Sequence, residues 1–346
     1  MTSRRDILKT SATLLAFSGF NTLAIGSPFW EKTLLPLHLR RGDKVALVNP
    51  AGATYETEDV KIATETLEAL GLKVISSKHL LDRYGYLAGT DQSRADDINT
   101  MFGDKSVSGI IALRGGWGCN RILNKLDYKL IASNPKILMG YSDITSLLLA
   151  IYAKTGLVTF HGPVGISTWN NYSVQYLKDL IFNAKAIFMQ NPTDIGDNLT
   201  QVDDRVQTIT GGVTRGKLLG GNLSVLVSMI GSKYLPSFKK NILFIEEVGE
   251  DIYRIDRMIT QLKLSGILDE ISGFIFGKCT KCGPDESYGS LTLEELFKDH
   301  IKPLKIPSWY GAMIGHVSNK FTIPLGIEAE IDADKGTIQL LSSAVK

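Results

Sequence analysis

The sequence predicts an α/β protein with two domains. From residue 41 onward, short β-branched runs alternate with helical stretches, and the length of 346 residues is about twice that of a typical domain of roughly 150 residues. Apolar strands that alternate with helices are typical of βαβ units, in which helices cover both faces of a parallel sheet. A chain of this length can bury a large core without disulfide staples.

The first domain is predicted over residues 41–168. Its order of elements indicates a doubly wound, flavodoxin- or Rossmann-like parallel sheet, in which ligands lie beyond the carboxyl ends of the strands. The loops GGWG, GYSD and FHGP fall at such ends. The strand candidates are KVALVNP (44–50), KVISS (73–77), GIIALRGG (109–116), KILMGYSD (136–143) and VTFHGP (158–163), with helical stretches at 58–70 and 144–156.

The rest of the chain divides into two parts. Residues 169–212 contain stretches such as QNPTDIGDNLT that have no sustained period, and they are predicted to form a linker or a loosely packed crossover. Residues 213–346 are predicted to form a smaller, mixed α/β domain. Its candidates are the strands NILFIEE and ISGFIFG, the helices 255–264 and LTLEELFKDHI, and closely spaced strands toward the end. The crevice between the two domains is the default place for a site.

The charge balance excludes one class of partner. The chain has 38 Lys+Arg and 36 Asp+Glu, whereas nucleic-acid binding needs a large basic excess on one face. Residues 1–26 hold Arg4, Arg5 and Lys9 against Asp6, so the remaining 35 basic and 35 acidic residues cancel. The small excess therefore belongs entirely to the N-terminus, and no nucleic-acid partner is expected.

The N-terminus has the pattern of an export signal. Ser3–Lys9 reads SRRDILK and precedes an uncharged, moderately apolar run, which is typical of a twin-arginine leader. The small residues around 24–26 predict cleavage there. Polar residues such as Asn21 interrupt the run, so no stable membrane anchor is expected after cleavage. Residues 1–26 are predicted to be removed, and the protein is expected in the periplasm or outside the cell.

Three cysteines are present, and two of them form the CxxC of Cys279 and Cys282. A zinc site would need two more ligands, and a redox motif would open a helix, whereas Gly283 and Pro284 favour a turn. We expect these two to be surface-loop cysteines, for which a disulfide is an option in an oxidising compartment, ahead of a metal or redox role. Cys119 has no partner by spacing.

A serine stands where a predicted strand meets a predicted helix. In Gly140-Tyr141-Ser142-Asp143 the strand-to-helix turn would hold Ser142 out beside unpaired helical N–H groups, as in a nucleophile elbow. The pattern does not match G-x-S-x-G, because Ile144 replaces the second glycine. The alternative is an ordinary helix N-cap.

The neighbouring loop is rich in glycine. Arg114-Gly115-Gly116-Trp117-Gly118 would let backbone N–H groups approach a ligand and form an oxyanion hole beside a serine. The alternatives are a tight turn or a phosphate-binding loop, although neither phosphate motif is present.

A nucleophilic serine also needs a base and an acid that orients the base. Of the five histidines, His161 and His316 stay open as the base, because both stand beside apolar strand-like runs. The acid candidates follow the apolar run of the strand at 241–247; they are Glu246, Glu247, Glu250 and Asp251.

Taken in order, seven motifs resemble the LD-carboxypeptidase family of serine peptidases over residues 41 to about 335. They are GDKVALVNPAG, ALRGGWG, GYSDIT, TFHGP, LLGGNLSVL, ILFIEEVGEDIYRIDRMITQL and GHVSNKFTIPLG. The resemblance implies a swivelling-type C-terminal domain and a triad that bridges the two domains. The matching residues are Ser142, Glu246 and His316 for the triad, Gly116 and Asp143 for the oxyanion N–H groups, and Trp117, His161 and Asn222 for contacts to substrate.

The resemblance implies hydrolysis of the bond between an L-centre and a terminal D-alanine in muropeptides or peptidoglycan stem peptides, through an acyl-enzyme. It implies no metal or organic cofactor, and a homodimer is suggested by the resemblance alone. Glu247 stands where the family usually has Asp. Export also departs from the many cytoplasmic members and indicates wall-side peptides.

Two alternatives stay open. The microcin-C immunity peptidases share this scaffold and cleave peptidyl or aminoacyl adenylates. From a different class, an exported two-domain α/β protein could be a periplasmic solute-binding protein.

Overall fold

The first sheet of the computed structural model, which describes residues 33–283 and 289–346, has the predicted doubly wound form. Its parallel strands lie in the order β2-β1-β3-β4-β5, the flavodoxin-like order. The elements are β1 (Lys44–Val48), α1 (Thr57–Ala69), β2 (Lys73–Ser76), α2 (Asp91–Gly103), β3 (Val107–Ala112), α3 (Tyr128–Ser133), β4 (Ile137–Gly140), α4 (Thr145–Thr155) and β5 (Thr159–His161).

The sequence of helix α4 is apolar on all sides because the helix is buried between the two domains. Every residue from Thr145 to Ile151 is buried, because the helix packs on β4 and β5 and also contacts elements of the second domain. A helix covered on all sides has no need of a polar face. The helix that follows the candidate nucleophile therefore lies at the junction of the two domains.

The segment 169–212 differs from the predicted linker, because it contains α5 (Asn171–Leu177), β6 (Phe188–Met189) and β7 (Gln207–Thr210). Leu177, Leu180 and Met189 are buried in the core. The two strands are short and lie at opposite edges of the second sheet. Strands of two and four residues are too short to show a sequence period, and their partners elsewhere in the chain decide the pairing.

The second sheet is mixed, as predicted, and runs in the order β6-β14-β13-β8-β9-β10-β11-β7. Strands β8 to β11 are parallel, and antiparallel strands flank them. Within the described ranges it has eight strands, and the first sheet has six. The elements are β8 (Val213–Asn222), α6 (Leu223–Ser228), β9 (Ile242–Val248), α7 (Ile252–Leu264), α8 (Ile267–Glu270), β10 (Gly273–Thr280), α9 (Leu293–His300), β11 (Ser308–Ala312), β12 (Ile323–Leu325), β13 (Glu328–Asp332) and β14 (Thr337–Leu340).

Strand β12 does not join the second sheet. It pairs antiparallel with β5 and becomes the edge of the first sheet, with Ile323 opposite His161 and Leu325 opposite Thr159. The predicted C-terminal domain over 213–346 therefore contributes a strand to the N-terminal sheet. A second link joins the domains at the start of α4, where Thr145 Oγ1 accepts a hydrogen bond of 2.9 Å from the N–H of Asn222.

The three cysteines fall into a bonded pair and a free thiol, and Cys279 lies within β10 rather than in the predicted surface loop. Cys279 and Cys282 are disulfide-bonded at the end of β10, and Cys119 is buried and free. In the two described ranges, no helix is long and apolar enough to cross a membrane. The predicted signal over residues 1–26 lies outside the described residues.

Candidate active site

Ser142 occupies a left-handed backbone conformation directly after β4. Its φ is 63°, a backbone angle that costs a residue with a Cβ about 1–2 kcal/mol. The residue before it, Tyr141, is extended, and the chain then makes one tight helical turn and enters α4. This strained strand-to-helix turn is the geometry of a nucleophile elbow, although the sequence lacks the second glycine of that motif.

Two glycine loops close around the elbow. A Cβ on Gly115 would lie 2.9 Å from Ser142 Oγ, and a Cβ on Gly116 would lie 2.8 Å from Gly52 Cα. Only glycine allows this approach. The loops follow β3 and β1, where the strand order reverses, and Gly52 N–H donates to the Gly115 carbonyl at 3.3 Å. In the described part of the chain, the N–H groups of Gly116 and Asp143 donate no hydrogen bond, so both are available to a ligand.

The side chain of Asp143 holds the glycine loop in place. Its Oδ2 accepts a hydrogen bond of 2.8 Å from the N–H of Cys119, and burial raises the pKa of this carboxyl above its ordinary value. On the other side, the buried guanidinium of Arg94 donates to the carbonyls of Pro50 and Gly118. Arg94 gives no sign of this role in the sequence, because a basic residue in a helix of mixed charge usually faces solvent.

Glu246 and His316 form a hydrogen-bonded pair. His316 Nδ1 donates to Glu246 Oε2 at 2.8 Å, and Glu246 has no exposed surface. A Cβ on Gly315 would lie 2.3 Å from the same oxygen, so glycine is required there. A carboxylate at Nδ1 sets the tautomer that leaves Nε2 free to accept a proton. Of the two candidate bases, His316 is the one that has a carboxylate partner.

Glu247 points to the opposite face of β9 and has a different role. Its carboxylate accepts hydrogen bonds from Asn222 Nδ2 at 3.0 Å and from the N–H of Ser224 at 2.8 Å. Asn222 in turn caps α6 by accepting from the N–H of Val225. This network connects β8, β9 and α6. The predicted contact of Asn222 with substrate stays a prediction, and the bonds observed for its side chain are internal.

Tyr141 connects the serine to the histidine pair. Its ring lies edge-on to His316 with centroids 4.9 Å apart, so the residue before Ser142 contacts the candidate base directly. His161 lies edge-on to Tyr141 and Phe244. Neither ring nitrogen of His161 forms a hydrogen bond in the described residues. Burial lowers its pKa from 6.5 to about 4, and it is therefore neutral at pH 7.

Lys320 is a second residue of the site, after Arg94, that the sequence does not reveal. It is only 4% exposed, and its ammonium lies 4.9 Å from the centre of the Tyr141 ring. Burial lowers the pKa of this amine from 10.5 to about 8. A lysine in a polar loop such as VSNK gives no sequence sign of burial.

Trp117 lies exposed at the rim. It is 63% exposed and stands edge-on to the 59% exposed Tyr86, with centroids 6.0 Å apart and an angle of 84° between the rings. Tyr86 is fastened to the glycine loops, because its carbonyl accepts a hydrogen bond of 2.9 Å from the N–H of Ala53. The two rings form an open aromatic corner beside the elbow.

Residues 45–162 match the family model for the LD-carboxypeptidase N-terminal domain, and residues 215–331 match that for the C-terminal domain. The chain belongs to the LD-carboxypeptidase family. This confirms the resemblance given by the ordered motifs, and it makes the protein a member of a peptidase family. Within the described residues, no cluster of His, Cys, Asp and Glu side chains could hold a metal ion.

Several LD-carboxypeptidase relatives share most of the chain. A probable murein peptide carboxypeptidase of Bacillus subtilis is 36% identical over 87% of this chain and 92% of its own. A murein tetrapeptide carboxypeptidase of Pseudomonas aeruginosa is 30% identical over 84% and 94%. A structure of MccF in complex with glutamyl sulfamoyl guanosine superposes with a TM-score of 0.81 at 27% identity, covering 90% of this chain and all of that one.

Glu246 and Glu247 offer a matched test of the acid in this LD-carboxypeptidase family member. We expect Glu246→Gln to lower kcat by about 10³-fold, because an amide does not stabilise the charged imidazole. We expect Glu247→Gln to keep kcat within about tenfold and to lower the unfolding temperature, because that carboxylate serves the Asn222 network. Steady-state kinetics and thermal unfolding of both variants check this. Equal losses of kcat would contradict the assignment.

Buried His161 predicts how stability depends on pH. The pKa of His161 is lower in the folded state than in the unfolded state. Above pH 6.5 the ring is neutral in both states and costs no folding free energy, and as the pH falls toward 4 the unfolded state gains a proton first, so the free energy of unfolding decreases. The loss is about 3 kcal/mol. Thermal unfolding of the wild type between pH 7.5 and 4 should therefore show a steeper decline than that of His161→Phe, which keeps a ring but does not titrate. Parallel curves would show that His161 is not the group responsible.

Proposed function

We propose that this protein is a serine carboxypeptidase that releases a terminal D-alanine from peptidoglycan peptides. The observation that carries the proposal is the His316–Glu246 pair, which contacts the nucleophile elbow through Tyr141. Relatives that are named murein peptide and murein tetrapeptide carboxypeptidases support the substrate class. Membership in a peptidase family leaves the solute-binding alternative without an observation in its favour.

In the proposed mechanism, His316 takes the proton of Ser142 through Nε2 while Glu246 stabilises the imidazolium. The serine oxygen attacks the carbonyl of the bond to D-alanine. The N–H groups of Gly116 and Asp143 donate to the oxyanion that develops there. The imidazolium then protonates the departing amine, and a water molecule activated by the same base hydrolyses the acyl-enzyme.

The aromatic corner of Trp117 and Tyr86 supports a muropeptide as substrate. Three residues separate the reacting carbonyl from the sugar in such a peptide, a distance of about 10 Å when extended. Trp117 stands two residues after Gly115, which packs against Ser142, so its Cα lies within about 7 Å of the Cα of Gly115. An exposed aromatic pair offers a large apolar surface against which the apolar face of a pyranose can pack.

Replacement of Ser142 by alanine tests the proposal. We expect purified mature wild type to convert disaccharide tetrapeptide into tripeptide with loss of one D-alanine, and Ser142→Ala to release about 10⁴-fold less or none. Alanine should keep the fold, since it fills the same backbone position with a smaller side chain. Mass spectrometry of the muropeptides and thermal unfolding measure both effects.

Ser106→Ala is the matched control. Ser106 is exposed just before the amino end of β3, whereas Ser142 follows the carboxyl end of β4, so the two serines lie at opposite strand ends of the sheet. The control variant should behave like the wild type. Unchanged D-alanine release by Ser142→Ala would show that the serine mechanism is wrong.

A second candidate function is the cleavage of aminoacyl or peptidyl adenylates. The TM-score of 0.81 to MccF favours it, and the microcin C7 self-immunity protein of Escherichia coli is 29% identical over 89% of this chain. Turnover of an aminoacyl sulfamoyl adenylate and of the tetrapeptide by the same wild-type sample decides between the two. Faster turnover of the adenylate would favour this candidate.

We also propose that the protein is exported by the twin-arginine route and acts in the periplasm or outside the cell, in line with the leader pattern. The Cys279–Cys282 disulfide supports this, because such bonds persist mainly in oxidising compartments. A homodimer remains a prediction.

Replacing both Arg4 and Arg5 by lysine should leave the precursor in the cytoplasm, as seen by cell fractionation and immunoblotting. The control variant has Arg40 and Arg41 replaced by lysine; these two form a second arginine pair beyond the predicted leader. This variant should be exported normally. Export of both variants would refute the route.

A further inference from the structure

Lys320 is a buried cation beside the proposed triad. Its side chain packs its ammonium against the Tyr141 ring, which also contacts His316. In the described part of the chain, Lys320 forms no ion pair within 4.0 Å and its ammonium donates no hydrogen bond, whereas Lys278 pairs with Asp204 and the buried Lys136 donates to backbone carbonyls. A buried ammonium without an anion is unfavourable, because burial removes water from the charge. A residue that breaks this rule at a site is a candidate for binding a ligand.

The charges around Lys320 indicate the sign of that ligand. Glu246 interacts with Lys320 electrostatically, but its Oε2 is bonded to His316 and its Oε1 has no hydrogen-bond partner in the described residues. His161, the other titratable group in the cluster, is neutral at pH 7. Glu246 is already paired with His316, so in the described residues the ammonium of Lys320 is the charge of this cluster that has no partner. A second carboxylate entering the site would be repelled by Glu246 unless it met the ammonium of Lys320.

The topology places Lys320 on one side of the serine. The strand order runs β12-β5-β4-β3-β1-β2, with Ser142 directly after β4. Lys320 precedes β12 on one side, and the glycine loops and the aromatic corner follow β3, β1 and β2 on the other. If the aromatic corner holds the sugar, as proposed above, a peptide that crosses the end of β4 has its terminal residue on the side of Lys320.

We propose that Lys320 binds the terminal carboxylate of the departing amino acid and thereby makes the enzyme a carboxypeptidase. This inference rests on the proposed function and names the residue that selects a free chain end. A charge-assisted bond in a buried site is stronger than one at the surface. The alternative is that Lys320 only balances the charge of Glu246 and never meets the substrate.

A comparison of two substrates distinguishes carboxylate binding by Lys320 from a role in balancing the charge of Glu246. One is the tetrapeptide with its free D-alanine carboxylate, and the other is the same peptide ending in D-alanine amide, which carries no charge there. For the wild type we expect kcat/KM to be about 10- to 100-fold higher for the acid than for the amide. The variant Lys320→Met keeps the apolar length of the side chain and should lose that preference, with a large fall for the acid and little change for the amide.

The controls make each outcome decisive. Lys320→Arg should recover part of the preference, and Lys278→Met should keep the wild-type preference, because Lys278 pairs with Asp204. Equal falls of Lys320→Met on both substrates would overturn the proposal and indicate a role through Glu246. Equal kcat/KM values of the wild type for acid and amide would overturn it without any variant, even if Lys320→Met failed to fold. Failure of the proposed function is distinct, since the wild type would then cleave neither peptide and would release neither D-alanine nor D-alanine amide.

Discussion

The arrangement of the site depends on the hydrogen bond between the buried carboxylate of Glu246 and the ring of His316. A carboxylate without exposed surface is stable only when it is hydrogen-bonded, and His316 supplies its observed bond. The two residues are 70 positions apart and come from β9 and from the loop after β11. Immediately after that loop the chain pairs with β5 through β12. The segment that carries the base therefore also fastens the second domain to the sheet of the nucleophile.

Backbone geometry, more than side-chain chemistry, prepares the serine. The left-handed φ of Ser142 is maintained by its surroundings, because Gly115 leaves just enough room and Asp143 fastens the glycine loop after β3 through Cys119. Behind this loop, buried Arg94 bonds to the carbonyls of Pro50 and Gly118 and joins the loops after β1 and β3. These loops meet at the reversal of strand order, so the free N–H groups lie where ligands bind in this class of sheet.

Burial gives the two basic groups around Tyr141 different states. His161 is kept neutral, and it forms an apolar wall with Phe244 in spite of its two nitrogens. Lys320 stays largely charged near neutral pH, although burial lowers its pKa to about 8. The neutral His161, the ammonium of Lys320 and the buried carboxylate of Glu246 together limit the charge that a ligand can bring into the site. Electrostatic recognition of a carboxylate would then come from one residue in a chain whose body is formally neutral.

The sequence by itself determined the fold class, most strands and helices, the leader pattern and the ordered motifs of the family. These are local properties, because the period of a buried strand or helix is a property of consecutive residues. It also placed Glu246 and Glu247 on opposite faces of one strand, since side chains alternate there. Tertiary structure alone decided which face meets a histidine. It alone decided that β12 joins the first sheet, that residues 169–212 supply two edge strands and that Lys320 is buried. Edge pairing and the burial of a charge depend on partners far along the chain, and a local pattern does not contain them.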